Sequence, residues 1–288
     1  MMRSFKGSAN SKYFGLVLVI LFCSLLARAQ EISIAAASDL QFVFKEVAGR
    51  FEKQSGASVK LSFGSSGNFF SQIQNGAPFD LFFSADIEYP QKLESGGFTE
   101  PGTLYQYARG KIVLWVPNES EIDVGQGLKS LLNSRIKKVA IANPAHAPYG
   151  RAAVAAMKSA GVYESVWQKL VFGENISQAA NFVASGNADA GIIALSLALS
   201  PNMKLKGRYF LIPLDSYPPL DQAGVVLKSS SNKKMAGCFL EFLQTPEIVE
   251  LMQQYGFELP NTVAKTGVIP KKNGGRAPSD KQCACCRH

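Results

Sequence analysis

A chain of 288 residues is long enough for two modest lobes, each able to bury a core of its own. With 47% hydrophobic and 18% charged residues it has the make-up of a globular protein, which excludes an intrinsically disordered chain. The formal net charge of +8 sits at the two ends, +4 in residues 1–29 and +5 in residues 264–288, which leaves −1 for residues 30–263 and argues against a nucleic-acid partner.

In chain order, Arg3, Lys6 and Lys12 precede an apolar run at 14–26, and Ala27-Arg28-Ala29 supplies the small-x-small pattern of a signal-peptidase site. An apolar run of about 13 residues is short against the ~20 that a bilayer crossing needs. Residues 1–29 therefore read as a cleaved secretory signal, and the periplasm is the expected location. Cys23 leaves with that signal.

Residues 31–36 alternate as a strand, and 38–54 read as a helix whose Phe42, Val43, Val47 and Phe51 share one face. A strand at 57–63 is followed by a helix at 66–75 and a third strand, FDLFFSAD, at 79–86. KIVLWVP at 111–117 is a continuous apolar run of the buried-strand kind. KKVAIANP at 137–144 is another, and a helix follows from Tyr149 to Ala160, where Gly161 stops it. Strands at 169–173, 189–195, 208–214 and 224–228 surround a helix at 176–185, and 232–254 reads as two helices broken near Thr245-Pro246. Cys238 stands alone in that helical pattern and reads as a core residue. Residues 263–288 have the Lys, Gly, Pro and Ser content of a disordered tail, and the spacing of Cys283, Cys285 and Cys286 does not match common zinc sites.

Strand–helix alternation of this kind predicts an α/β architecture of mostly parallel sheets flanked by helices. Such sheets bind ligands beyond the carboxyl ends of their strands. Four strand-to-helix junctions share one character there: AAASDL with Ser38, FGSSGNFF with Ser65 and Ser66, NPAHAPYGRAA with Tyr149 and Gly150, and GENISQAA with Ile176. A helix start offers unpaired backbone N–H groups and about half a positive charge. Several such starts aimed at one point would hold an anion without lysine or arginine. The nearest cation, Arg151, lies just inside the third helix, and Asp39, the one acid at these junctions, is expected to point away into its helix start. Against this stands the plain role of serine as an N-cap worth ~1 kcal/mol, and spacing alone does not show that the junctions converge.

Other chemistries find little support. A serine hydrolase would need a histidine base, yet residues 30–288 hold only His146 and His288, and GSSG is not a GxSxG elbow. His146 reads as a packing or hydrogen-bonding residue. Clustered His, Asp and Glu for a free cation are missing from the sequence of the body.

AAASDL, SFGSSG, GAPFDLFFSAD, NPAHAPYGRAA and YGFELP, in this order and spacing, resemble the periplasmic molybdate-binding proteins of ABC importers over about 30–260. The resemblance implies a two-lobed periplasmic-binding-protein-like fold of class II, in which 30–112 and 223–262 form lobe 1 and 113–222 lobe 2. Two segments near 108–113 and 215–224 would cross between them as a hinge. It implies a binding protein, not an enzyme, that takes molybdate or tungstate as ligand and uses no cofactor. A membrane ABC permease would be its partner, and the protein would be a monomer. The family's ligand positions fall on Ser38, Ser66, Tyr149 and Ile176, and Ser65 and Asp39 stand beside them as additional candidates. One departure matters: many members carry a ligand-binding tyrosine where this chain has Ala194, so the Tyr149 hydroxyl is expected to supply the missing donor from the opposite side, the alternative being that Tyr149 only lids the cleft and the ligand has one donor fewer. Sulfate or a small organic anion on the same fold is the alternative.

Overall fold

The computed structural model describes residues 30–260; the readings of the signal and of the Cys-containing tail lie outside them. Two five-stranded sheets organise the chain. The first runs β2 (Ser58–Gly64), β1 (Glu31–Ala37), β3 (Leu81–Ser84), β10 (Leu220–Val226), β4 (Tyr105–Gly110). The second runs β7 (Leu170–Gly173), β6 (Val139–Ala142), β8 (Ala190–Ala194), β5 (Ile112–Pro117), β9 (Gly207–Leu211).

Each sheet is mixed rather than mostly parallel. β1 pairs parallel with β2 and β3, and β6 with β7 and β8. The antiparallel pairs all involve the strands at which the chain changes sheets, β10 against β3 and β4, and β5 against β8 and β9. Crossing occurs at Lys111 and again between Leu211 and Leu220, so the return to the first sheet begins three residues before the expected 223.

Helices cover these sheets: α1 (Val43–Ser55), α2 (Ser66–Gln74), α3 (Glu88–Ser95), α4 (Pro148–Ser159), α5 (Tyr163–Val166), α6 (Ile176–Ala184), α7 (Leu195–Ala198), α8 (Lys233–Phe242) and α9 (Pro246–Gln254). Of the expected face, Val43, Val47 and Phe51 are fully buried, whereas Phe42 is half-buried at the N-cap, and Gly56 ends the helix at φ 72°. Phe51 and Phe83 each meet Phe239 of α8 edge-on, with ring centroids 5.1 and 5.9 Å apart. Trp115 is buried in the other lobe's core. Cys238 is buried in α8 as a core position would be, but it is disulfide-bonded rather than solitary.

The first helix starts later than its pattern suggests. Ser38–Leu40 form a short 3-10 turn, and α1 begins only at Val43 with Phe42 as its N-cap. The Asp39 carbonyl, which a helix would direct at an N–H four residues on, instead accepts the Ser196 hydroxyl at 2.8 Å. A contact from the other lobe has displaced a local one.

Candidate functional site

Segments at or after the carboxyl ends of β1, β2, β6 and β7, two from each sheet, meet at one place. Ser38, Ser66, Tyr149 and Ile176 all line one small cavity there, together with Ser65 and Asp39. Its remaining lining is Ala37, Gly64, Ala85, Ala147 and Pro148, without a lysine or arginine among the described residues. Ser66, Tyr149 and Ile176 stand in the first turns of α2, α4 and α6, where backbone N–H groups have no partner within the helix. Gly150 lets α4 begin this close to the sheet, since a Cβ there would lie 2.2 Å from the Ala142 carbonyl oxygen.

The serines are not behaving as caps. Neither Ser65, the N-cap of α2, nor the turn at Ser38 makes a side-chain capping bond, whereas Asn175 does cap α6 by accepting from Gln178 N–H at 3.1 Å. The Ser66 hydroxyl oxygen accepts from Ala85 N–H at 3.0 Å, and the Ser38 hydroxyl oxygen from Ser177 N–H at 3.3 Å. Both hydroxyls therefore act as acceptors toward the protein and keep their protons for another group. Ser65 differs: its hydroxyl donates to the His146 carbonyl at 2.8 Å and lies as close to His146 Nδ1. His146 is thus a hydrogen-bonding residue that ties the two sides, and its carbonyl also accepts Gly67 N–H at 3.0 Å.

Further contacts hold the lobes together. Arg151 donates to Asp86 at 2.5 Å and to the Tyr89 hydroxyl at 3.3 Å, its guanidinium stacked 5.7 Å from the Tyr89 ring. The nearest cation suggested by sequence is therefore engaged by a carboxylate outside the cavity. Asn68 reaches Glu174 at 2.5 Å, and the Ser177 hydroxyl donates to Gln41.

Two expectations are corrected. The Tyr149 hydroxyl donates its one proton to Asp39 Oδ2 at 3.0 Å and accepts from Gln222 Nε2 at 3.0 Å, so what Tyr149 can offer a ligand is its backbone N–H. Asp39 does not turn into its own helix start: its carboxylate faces Tyr149 and Gln222, whose Nε2 donates to Oδ2 at 2.8 Å. Gln222 sits at a register shift in β10, and its Oε1 accepts the Tyr107 hydroxyl at 2.8 Å. All four side chains are buried. Burial pushes the Asp39 carboxyl from its ordinary 3.8 to about 6, against the bonds from Gln222 and Tyr149, and pushes both tyrosines well above their ordinary range.

Sequence reasoning missed Gln222 and Tyr107, because a polar residue inside a strand carries no motif; burial without a charge partner is what singles them out. Ala194 ends β8 fully buried and leads into α7, which delivers Ser196 to Asp39.

The chain matches the family model of bacterial extracellular solute-binding proteins over residues 32–258. It is 39% identical over 239 residues to the molybdate-binding protein ModA of Rhodobacter capsulatus, covering 83% of this chain and 92% of that one. Identity to ModA of Azotobacter vinelandii is 40% over 233 residues, covering 81% and 92%. Among solved structures, the Azotobacter vinelandii periplasmic molybdate-binding protein aligns with a TM-score of 0.76 at 35% identity, covering 80% of this chain and 99% of that one.

Proposed function

This chain belongs to the family of bacterial extracellular solute-binding proteins, and we propose that it captures molybdate outside the cytoplasm and hands it to the membrane permease of an ABC importer. The observation that carries this reading is the meeting of three helix starts and a serine-bearing turn, contributed by both sheets, around one cavity that no cation lines among the described residues. Molybdate at neutral pH is a dianion with no proton to give, so it calls for donors. The Ser38 and Ser66 hydroxyls and the backbone N–H groups of Ser38, Ser66, Tyr149 and Ile176 are the donors assigned to it. Ser65 is assigned to closure through His146.

Tungstate has the same charge and shape and would use the same donors. Sulfate is smaller, and cavity size would exclude it. The chain would act in the periplasm as a monomer. Its lobes, linked through Lys111 and residues 212–219, would open for entry and close on the anion, which shifts the population toward the form that touches it from both sides. Capture and release require no bond-making step, so no catalytic role is assigned.

Isothermal titration of the purified protein with molybdate tests this, with sulfate and tungstate as competitors. Submicromolar molybdate binding, displaced by tungstate and not by sulfate, is expected; a ligand at ~1,000 times its Kd should also stabilise the fold by about 4 kcal/mol. Absence of molybdate binding, or displacement by equimolar sulfate, would overturn it.

A further inference from the structure

An aspartate among the residues that line an oxyanion cavity is electrostatically awkward. Asp39 lines the cavity with Ser38 and Ser66, and it is 1% exposed. Its Oδ2 accepts both Tyr149 and Gln222, while its Oδ1 is buried without a hydrogen-bond partner among the described residues. Neither donor carries charge. The groups around it from each packed element are Tyr149 on α4, Tyr107 on β4, Gln222 on β10 and Ser196 on α7. The two tyrosines keep their protons throughout the neutral range. The arginines of these elements are engaged elsewhere, Arg109 with Asp221 at 2.7 Å and Arg151 with Asp86 at 2.5 Å.

We infer that Asp39 takes up one proton from solvent as the dianion binds, and that Oδ1 then donates it as a hydrogen bond to the bound oxyanion. Anion capture is thereby coupled to proton uptake. The inference rests on the oxyanion reading of this cavity and adds a ligand-contacting role for Asp39.

Geometry and charge both favour Oδ1. Protonation there leaves the two bonds to Oδ2 intact, satisfies the unpartnered atom, and turns a repelled acceptor into a donor. An ionised carboxylate beside a dianion in a water-poor site would be repelled with little screening. The proton is within reach, because burial already holds the carboxyl high before any ligand arrives, and the dianion raises it further. A carboxylate that stayed ionised would instead accept from a protonated anion such as hydrogen phosphate.

Molybdate titrations of the purified protein between pH 7 and 8.5, in buffers of differing ionisation enthalpy, measure the protons taken up. The expected results are uptake approaching one proton per anion and a Kd that rises about tenfold per pH unit. Asp39→Asn should bind molybdate with no proton uptake and a flat pH profile, since the amide is a permanent donor of nearly the same shape. Wild-type binding without proton uptake, the same pH dependence in Asp39→Asn, or displacement of molybdate by equimolar phosphate would each overturn the inference. The wild-type measurement stands without the variant. A wild type that binds no molybdate at any pH would overturn the oxyanion reading itself, a distinguishable result.

Discussion

The Ser66 hydroxyl oxygen accepts the Ala85 backbone N–H at 3.0 Å, and this contact frees the hydroxyl proton from the protein. Ser66→Ala should remove a charge-assisted donor of roughly 1.5–3 kcal/mol, about a 10- to 150-fold loss in molybdate affinity by titration calorimetry. Ser65→Ala should cost about threefold or less, because that hydroxyl is engaged by His146. Equal effects at the two positions would contradict the assignment.

Arg151 separates two ideas of where the binding energy originates. Its guanidinium pairs with Asp86, and its side chain is 41% exposed, so Arg151→Ala should weaken binding by about fivefold at most and speed dissociation in stopped-flow measurements. A loss beyond about 100-fold would mean that a cation holds the anion after all.

Tyr149→Phe deletes a buried hydroxyl that serves Asp39 and Gln222. The fold should lose about 1–3 kcal/mol in chemical denaturation, while molybdate affinity changes less than in Ser66→Ala. The reverse ranking would restore the hydroxyl as a direct ligand.

Gly110 is where this network meets the backbone. A Cβ there would fall 2.2 Å from the Tyr149 hydroxyl oxygen and 2.6 Å from Gln222 Nε2. Gly110→Ala should destabilise the fold by about 1–3 kcal/mol through overpacking, seen as a lowered Tm, and should slow or weaken closure on the anion.

Stability should also record Asp39. Its folded-state carboxyl is raised, so its favourable contribution is present below pH 3.8 and is lost as pH climbs through about 6. At 1.36 kcal/mol per pH unit, that loss is about 3 kcal/mol at most. Without ligand, wild type should therefore lose stability relative to Asp39→Asn between pH 4 and 6.5 by denaturant titration. A constant difference across that range would show that Asp39 is not shifted upward.

Much of this protein is legible along the chain, because local patterns obey local physics. Alternation and continuous apolar runs marked nine of the ten strands among the described residues. β4 (Tyr105–Gly110) escaped because YQYARG carries polar residues whose burial depends on its place beside β10. Periodicity placed the buried stripe of α1, and the junctions holding Ser38, Ser66, Tyr149 and Ile176 were marked by residue type alone. Tertiary structure decided the rest. It drew those junctions to one cavity, and it took the Ser65 hydroxyl for His146 and the Tyr149 hydroxyl for Asp39. It also buried Asp39 beside Gln222, 183 positions away in the chain. The physical reason is range: hydrophobic periodicity and helix-start dipoles act over a few residues, whereas hydroxyl direction and carboxyl protonation depend on neighbours that only the folded packing supplies.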